Sequence, residues 1–357
     1  MYNVKDLEAV KKNCRSFWNK EFIGRPYMLL TAPKDGVPRV KKDTSYVRRL
    51  NAARNGTYEE VARDFAEIAK ATMHYAESLP HFAADICPDQ HGIFYGGEIV
   101  GREGEYTTWI KKNIADELAD LELKFDRDNE VLRQVEYAVR TTAEIADGNF
   151  LVNVLDHHSN LDALSALLSP QNLCYELIDN PDLVEEKLNI INNDFEKYYD
   201  IIYKAGRMDQ LGTIGWIPIY CEGKVHVEQC DFSCMMSPAD ARRFVIPSIE
   251  KELETLDHAI YHYDGKMALG HFEDILAIKG LDCIQWCPGA GEKPTIYWMD
   301  LLKRIQAKGK SIWMQDWTKE QILADTELDP ALTIFSLNLG SEAEAEDFME
   351  KLEKKYR

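Results

Sequence analysis

The chain has 357 residues and a formal net charge of −19, with 61 acidic against 42 basic side chains. A surface of this sign repels phosphate groups, which makes nucleic acid and anionic membranes poor candidate partners. No stretch approaches the roughly 18 unbroken apolar residues of a membrane span, and the charged start lacks a signal-peptide pattern, so we expect a cytoplasmic protein. Eight cysteines without a C-x-x-C pair favour buried, reduced thiols over disulfides.

The first two thirds of the chain mix helical patterns with short apolar runs. The predicted elements are a helix ending near Trp18, a strand at 26–33, helices at 58–77 and 129–146, a strand at 149–155, helices at 160–168 and 181–205, and a strand at 225–231. The aromatic and glycine-rich stretch 80–110 is typical of loops and short strands. Ser237 and Pro238 have the N-cap and first-turn character of a further helix.

The last third alternates strand and helix. Predicted strands at 259–263, 283–287, 311–316 and 332–337 are followed by predicted helices at 269–278, 295–308, 318–325 and 341–355. Such alternation is typical of a parallel sheet. We see no linker or repeat and predict one α/β domain over 1–357, a single (β/α)8 barrel (TIM barrel) with an N-terminal helical extension. An open sheet would favour a glycine-rich phosphate loop after the first strand, which the sequence from Ala32 to Gly36 does not form.

Two residues that can carry chemistry end the predicted strand 259–263. His262 and Asp264 are two apart, so on a strand their side chains point the same way, and Gly265 follows at once. The carboxyl ends of barrel strands form active sites. The pair could therefore bind a divalent metal or act as a general acid–base pair. The alternative is a buried histidine satisfied by its neighbouring carboxylate.

The preceding strand, 225–231, ends in a second acid. Asp231 is interpreted as a positioning residue or general acid, with a turn-forming aspartate as the alternative. Cys230, a soft ligand, or else Glu228 would complete a metal site with His262 and Asp264.

Four further side chains near the strand ends are candidates for a substrate pocket, although aromatic residues in strands are more often plain core. They are Trp216, Tyr263, Gln285 and Trp286.

Several of these stretches carry a family resemblance. They are Cys230–Ser233, Met236–Pro238, Tyr261–Gly265, Ile284–Trp286 and Asn160–Leu164. The chain resembles the uroporphyrinogen decarboxylase superfamily, which includes the methylcobamide:coenzyme M methyltransferases, and most of all its uncharacterised decarboxylase-like branch. The resemblance implies a (β/α)8 barrel, often a homodimer.

The resemblance implies two activities. The decarboxylases of the superfamily use no metal and hold a tetrapyrrole's carboxylates with arginines near the N-terminus, but Pro26 to Gly36 contains no arginine. The methyltransferases bind zinc through a His-x-Cys pair and a distant cysteine. In this chain that pair is His262-x-Asp264, and the distant cysteine has no counterpart near Ile334 to Gly340.

We therefore expect a methyltransferase that moves a methyl group between a small methylated substrate and a corrinoid carried by a partner protein. Zinc would be held by His262, Asp264 and Cys230, and Asp231 would be catalytic. The alternatives are a metal-free decarboxylase, with Asp231 or Asp264 stabilising a protonated intermediate, and a binding protein that retains the barrel without chemistry. The metal content of the purified protein separates the first hypothesis from the other two.

Overall fold

The computed structural model describes residues 1–88, 90–102, 104–111 and 115–357. Its strands are β1 (Tyr27–Pro33), β2 (Thr72–Ala76), β3 (His81–Phe82), β4 (Ile99–Val100), β5 (Trp109–Ile110), β6 (Leu151–Val152), β7 (Val225–Gln229), β8 (His258–Asp264), β9 (Leu281–Cys287), β10 (Ser311–Met314) and β11 (Thr333–Asn338).

Its helices are α1 (Leu7–Trp18), α2 (Tyr46–Asn55), α3 (Tyr58–Lys70), α4 (Gln90–Ile93), α5 (Glu130–Ala146), α6 (Asn160–Leu168), α7 (Pro170–Asp179), α8 (Pro181–Ala205), α9 (Met208–Leu211), α10 (Pro238–Asp240), α11 (Ile246–Leu253), α12 (Phe272–Ala277), α13 (Met299–Ala307), α14 (Lys319–Ala324) and α15 (Glu342–Lys355). A π-helical turn, Ala241–Val245, joins α10 to α11.

The main sheet has seven strands in the order β2-β1-β11-β10-β9-β8-β7. All of its neighbouring pairs are parallel except β1 with β2. Two smaller sheets pair β3 with β6 in parallel and β4 with β5 antiparallel. The predicted α/β class with a mostly parallel sheet is confirmed. In the described part of the chain the strand pairs leave β2 and β7 as edges of the main sheet, so the predicted closed barrel stays a prediction.

Two predicted elements differ from the structure at their ends. The strand predicted over 149–155 is confined to Leu151–Val152, and a predicted helix is too long. The helix predicted over 58–77 stops at Lys70, and Thr72–Ala76 forms β2, antiparallel to β1. The Asn3 side-chain amide donates to the carbonyls of Ala69, Lys70 and Thr72, at 3.2, 2.8 and 2.8 Å, and so satisfies acceptors at the helix end. Helix propensity alone did not reveal this contact, because its donor, Asn3, lies 66 residues before Ala69 in the chain.

The sheet register aligns the ends of β7, β8 and β9. His262 on β8 lies between Gln229 on β7 and Gln285 on β9. Two residues further along β8, Asp264 lies beside Cys287 of β9. A 3-10 turn, Asp231–Met235, follows β7 directly. The carboxyl ends of these three parallel strands therefore present their side chains at one edge of the sheet.

Candidate metal centre

Three side chains at this edge come together. Asp231, His262 and Asp264 each offer a ligand atom, and these atoms all lie within 4.8 Å of one another. His262 Nε2 is 3.9 Å from Asp231 Oδ1. Within the described residues no other group of three His, Cys, Asp or Glu side chains meets this distance. One imidazole and two carboxylates form a donor set that suits a divalent metal ion.

The His262 ring is oriented by the neighbouring strand. Its Nδ1 lies 2.6 Å from Gln285 Oε1, and since an amide oxygen can only accept, Nδ1 carries the proton and donates it. In the neutral ring, Nε2 then keeps its lone pair and faces Asp231. An oxygen that fixes the tautomer of a histidine in this way prepares the other ring nitrogen to bind a metal.

The turn that carries Asp231 is held by Asp162 on α6. The two oxygens of the Asp162 carboxylate accept the backbone N–H groups of Asp231 and Phe232, at 2.9 and 2.8 Å. Burial, together with the neighbouring Asp231 charge, raises the pKa of Asp162 to about 7. The side chain of Asp231 is 44% exposed, but its Oδ1 is buried and has no hydrogen-bond partner among the described residues. This oxygen is available to a ligand.

Cys230 does not join this group. Its side chain is 3% exposed and packs in the main hydrophobic core beside Tyr261 and Phe244. Cys230 is two residues after Glu228, and alternation along β7 puts both on the face opposite to Gln229, the register partner of His262. The prediction of Cys230 in the three-residue group is therefore corrected, because the third residue whose ligand atom converges with those of His262 and Asp264 is Asp231.

Tyr263 and Trp286 are also on the opposite face. They are 1% and 2% exposed, their rings are 5.8 Å apart, and both belong to the hydrophobic core. The Tyr263 hydroxyl donates to the Ala268 carbonyl. On β8, Tyr263 alternates with His262 and Asp264, and on β9, Trp286 alternates with Gln285. Tyr263 therefore packs against Phe272 on α12 and Trp286 against Trp298, on the side of the sheet away from His262. The structure places both side chains in the core, apart from Asp231, His262 and Asp264, and their substrate contacts stay a prediction.

The other two predicted pocket residues lie at the site. Gln285 contacts His262 as described, and the Trp216 ring meets the His262 ring edge-on at a centroid distance of 5.3 Å. The Trp216 indole nitrogen is buried and has no hydrogen-bond partner in the described part of the chain. Their proposed contacts with a substrate stay predictions.

A cavity of about 350 Å³ opens next to Asp231. His158 and Asp162 form its polar side, and Trp109, Phe232 and Met235 contribute apolar surface. His158 lies 3.4 Å from Asp156 and 3.8 Å from Asp162. The adjacent His157 is fully buried and does not line the cavity. Only one histidine of this consecutive pair therefore faces the site.

Sequence reasoning missed the role of Asp162, and it did not place Cys287 beside Asp264. Asp162 had a readable signal, because a carboxylate in the first turn of a helix is a common acceptor of backbone N–H groups, but its partners are distant in sequence. Cys287 stands at the end of its strand, as His262 and Asp264 stand at the end of theirs. Its neighbour Asp264 is visible only once the register is known.

Comparison with known proteins adds no family assignment. No protein-family model matches the chain, and no curated protein is significantly similar to it. In the described residues, no helix combines the length and apolar character needed to cross a membrane.

Proposed function

We propose that this protein is a zinc-assisted methyltransferase of the uroporphyrinogen decarboxylase type, which moves a methyl group between a small methylated substrate and a corrinoid carried by a partner protein. The observation that carries the proposal is the convergence of Asp231, His262 and Asp264 at the carboxyl ends of neighbouring strands. The superfamily assignment itself rests on the sequence resemblance.

The donor set fits zinc. Zinc accepts imidazole nitrogen and carboxylate oxygen, and a catalytic site needs three protein ligands with a position left open. His262 presents Nε2, because Nδ1 is engaged by Gln285, and Asp231 presents a buried oxygen without a hydrogen-bond partner. Asp264 supplies the third ligand atom. Two carboxylates beside one imidazole also balance the charge of a divalent cation.

In this proposal, each residue of the site has a separate role around the zinc ion. A bound zinc ion supplies Lewis-acid chemistry to the oxygen, nitrogen or sulfur that loses or gains the methyl group. Gln285 keeps His262 in the tautomer that binds, and Asp162 fixes the turn that positions Asp231. The cavity next to Asp231 has room for a small substrate, and Trp216 packs edge-on against the His262 ring.

One contact at an edge of the main sheet supports the proposed barrel. At the β2 edge, the backbone N–H of Glu77 still donates to the carbonyl of Met28 on β1, and the chain then continues into β3. At the other edge, His226 Nε2 on β7 lies 3.1 Å from the carbonyl of Leu155, shortly after β6. A (β/α)8 barrel over 1–357 requires the small β3–β6 sheet to lie between the two edges, and the contact of His226 with the segment after β6 supports this placement at the β7 edge.

Metal-free decarboxylation is the less favoured activity. Four carboxylates, Asp156, Asp162, Asp231 and Asp264, lie in or beside the site. Such a surrounding disfavours a substrate that itself carries several carboxylates. A divalent cation, by contrast, is attracted to it.

The proposal is tested with metal analysis and a corrinoid assay on the purified full chain. We expect one equivalent of zinc per chain, lost in His262→Ala. The zinc-loaded protein should demethylate methylcobalamin in the presence of a member of a thiol panel, or methylate cob(I)alamin from a member of a panel of O-, N- or S-methyl donors, as followed by corrinoid absorbance. A protein that holds no zinc, yet releases carbon dioxide from an acidic substrate, would overturn the proposal in favour of decarboxylation.

A further inference from the structure

A second cavity lies between α5 and α8. Its volume is about 650 Å³, and the segment that precedes α5 contributes Phe125 and Arg127 to its lining. Its lining residues all differ from those of the cavity beside Asp231, and none of them belongs to the three-residue group at the strand ends. A ligand in this second cavity would therefore occupy a site separate from the candidate metal centre.

The lining of the second cavity is basic, although the chain as a whole is acidic. Among the described residues, five basic and three acidic side chains line it, in a chain with a net charge of −19. This excess of two positive charges attracts anions. At physiological ionic strength, charges further than roughly 8 Å away are largely screened, so the nearby cations outweigh the distant acidic surface. The basic side chains are Arg127, Arg140, Lys197, Lys204 and Arg207.

Lys204 and Arg207 carry the positive charge that the fold leaves uncompensated. In the part of the chain that the structure describes, neither forms an ion pair with a carboxylate, and Arg207 donates only to the uncharged Gln210 Oε1, at 3.5 Å. Lys204 is exposed and Arg207 is half-buried, so both can reach a ligand. Arg207 also has a φ of 57°, in the left-handed region where residues other than glycine are uncommon. A large side chain kept in this conformation indicates a role for the side chain.

Two further guanidinium groups share a single carboxylate. Arg127 and Arg140 lie 2.7 and 3.8 Å from Glu136, and their side chains are 48% and 53% exposed. One acidic group cannot neutralise both of them. The planar, multiply donating guanidinium group suits the oxygens of phosphate and carboxylate groups. These arginines can therefore bind an anion together with Lys204 and Arg207.

The remaining ion pairs do not change the balance. Lys197 pairs with Asp194 at 2.6 Å, and Asp200 pairs with Lys224 at 2.7 Å. Asp194 and Lys224 are not part of the lining. One basic and one acidic lining residue are thus neutralised from outside, and the excess of two positive charges remains.

Apolar side chains line the same cavity. Phe125 and Ala143 contribute on the α5 side, and Ile201 and Ala205 contribute from α8. Ligand pockets combine apolar walls, which bury the body of the ligand, with a few polar groups that fix its orientation. Apolar walls beside uncompensated cations therefore fit a ligand that has both an anionic and an apolar part.

We propose that the cavity between α5 and α8 binds an organic anion with two negative charges on an apolar body, such as a phosphate monoester. Arg127, Arg140, Lys204 and Arg207 hold the anionic group, and Phe125 packs against the apolar part. The inference goes beyond the proposed methyl transfer and does not depend on the metal centre.

Phenyl phosphate is the probe, used with the purified full chain in titration calorimetry. At about pH 8 it is a dianion, because the second pKa of a phosphate ester is about 6. We expect one saturable site per chain, with higher affinity for phenyl phosphate than for inorganic phosphate and no binding of phenol. Lys204→Glu combined with Arg207→Glu should lower the affinity about 10-fold or more, since each change removes an attraction and adds a repulsion of the size of an exposed ion pair. Lys204→Glu alone, at an exposed position, should give a smaller fall.

Lys303→Glu combined with Arg304→Glu is the matched control. Both residues lie on α13, are 43% and 55% exposed, and do not line the cavity. The double variant changes the net charge by the same amount and should keep the affinity of the wild type. His262→Ala should also keep it, because phosphate bound to a zinc ion would be lost in that variant.

Four results would overturn the inference. They are the absence of saturable binding to the wild type, an equal fall in both double variants, an affinity for inorganic phosphate as high as that for phenyl phosphate, and loss of binding in His262→Ala. The last result would place the anion at the metal centre. Failure of the zinc or methyl-transfer measurements leaves this test unaffected, so the two proposals fail separately.

Discussion

Two His-x-acid pairs lie on neighbouring strands of the same sheet and have opposite surroundings. His226 and Glu228 on β7 are 2% and 0% exposed, and His226 Nδ1 is 2.8 Å from Glu228 Oε1. His262 and Asp264 on β8 reach solvent, and His262 is held by Gln285 while its Nε2 stays open toward Asp231. The same two-residue spacing thus gives two kinds of pair. His226 and Glu228 are buried and bonded to each other, and we call them the closed pair. His262 and Asp264 keep a ring nitrogen unengaged within the pair, and we call them the open pair.

The two pairs differ in burial because they occupy different positions along their strands and different faces of the sheet. Glu228 is in register with Tyr261, in the middle of the sheet, and shares its face with Cys230, against the helices. Asp264 ends its strand and is followed by Gly265. A buried pair must satisfy itself because unpaired polar groups are costly in a core. A pair at a strand end can leave ligand positions open, and those positions can serve chemistry.

The largest expected effect is on metal binding by the open pair. His262→Ala removes the only nitrogen donor of the group, and zinc affinity should fall on the order of 1,000-fold, beyond the roughly 10- to 100-fold that loss of an outer partner costs. Competition with a chromogenic chelator measures it. Stability should change by no more than about 1 kcal/mol, since the site is partly exposed. An unchanged affinity would remove His262 from the centre.

The closed pair should show the reverse pattern. His226→Ala leaves Glu228 buried without its partner and should destabilise the fold by about 3 kcal/mol in urea denaturation. Zinc affinity of the folded variant should equal that of the wild type. If His226→Ala weakens zinc binding as strongly as His262→Ala does, the distinction between the two pairs fails.

The free energy of unfolding should also depend on pH, through the closed pair. Burial raises the pKa of Glu228 from 4.5 to about 7. Glu252 beside it is fully buried, and burial followed by the Glu228 charge raises its pKa well above the ordinary value. A carboxyl whose pKa is higher in the folded state stabilises the fold below pH 4.5, and this contribution is lost as pH rises toward 7. The loss amounts to at most about 3 kcal/mol, at 1.36 kcal/mol per pH unit.

Glu228→Gln mimics the protonated side chain and tests this dependence. The stability of the variant minus that of the wild type should increase as pH is raised from 4.5 to 7, since only the wild type must ionise a buried group. Thermal melts at several pH values measure the difference. Asp264→Asn is the control from the open pair. A difference for Glu228→Gln that does not vary with pH would contradict the assigned ionisation.

The smallest expected effect on zinc affinity comes from Gln285, which holds the His262 ring in place. Gln285→Leu removes the acceptor that holds the proton on His262 Nδ1, and zinc affinity should fall about 10-fold. Gln285→Glu retains an acceptor oxygen and should bind zinc at least as tightly as the wild type does. Equal affinities for Leu and Glu at this position would show that Gln285 does not orient the histidine.

Much of the fold was readable from the sequence. β8 and β9 were predicted to within about two residues, because apolar runs stopped by glycine or Pro-Gly mark the ends of buried strands. The rule that parallel strand ends meet at one edge predicted that Asp231 would lie near His262 and Asp264, but the third metal ligand was assigned to Cys230. β2 was hidden inside a predicted helix, since its pairing with β1 and its Asn3 contact are long-range.

The errors at the site share a cause. In strands that are buried on both faces, apolar character does not tell which face looks into the site. Cys230, Tyr263 and Trp286 were assigned by their nearness in sequence, although strand alternation places them opposite to Gln229, His262 and Gln285. The partner of Cys287 depends on the register between β8 and β9, and no local pattern encodes that register.

The most direct test of the metal centre is a crystal of the full chain soaked in zinc, with anomalous diffraction recorded on both sides of the zinc edge. We predict one peak between Asp231, His262 and Asp264, at about 2.0–2.2 Å from their nitrogen and oxygen donors. A map without a peak at these residues, or with zinc bound only elsewhere on the acidic surface, would contradict the account.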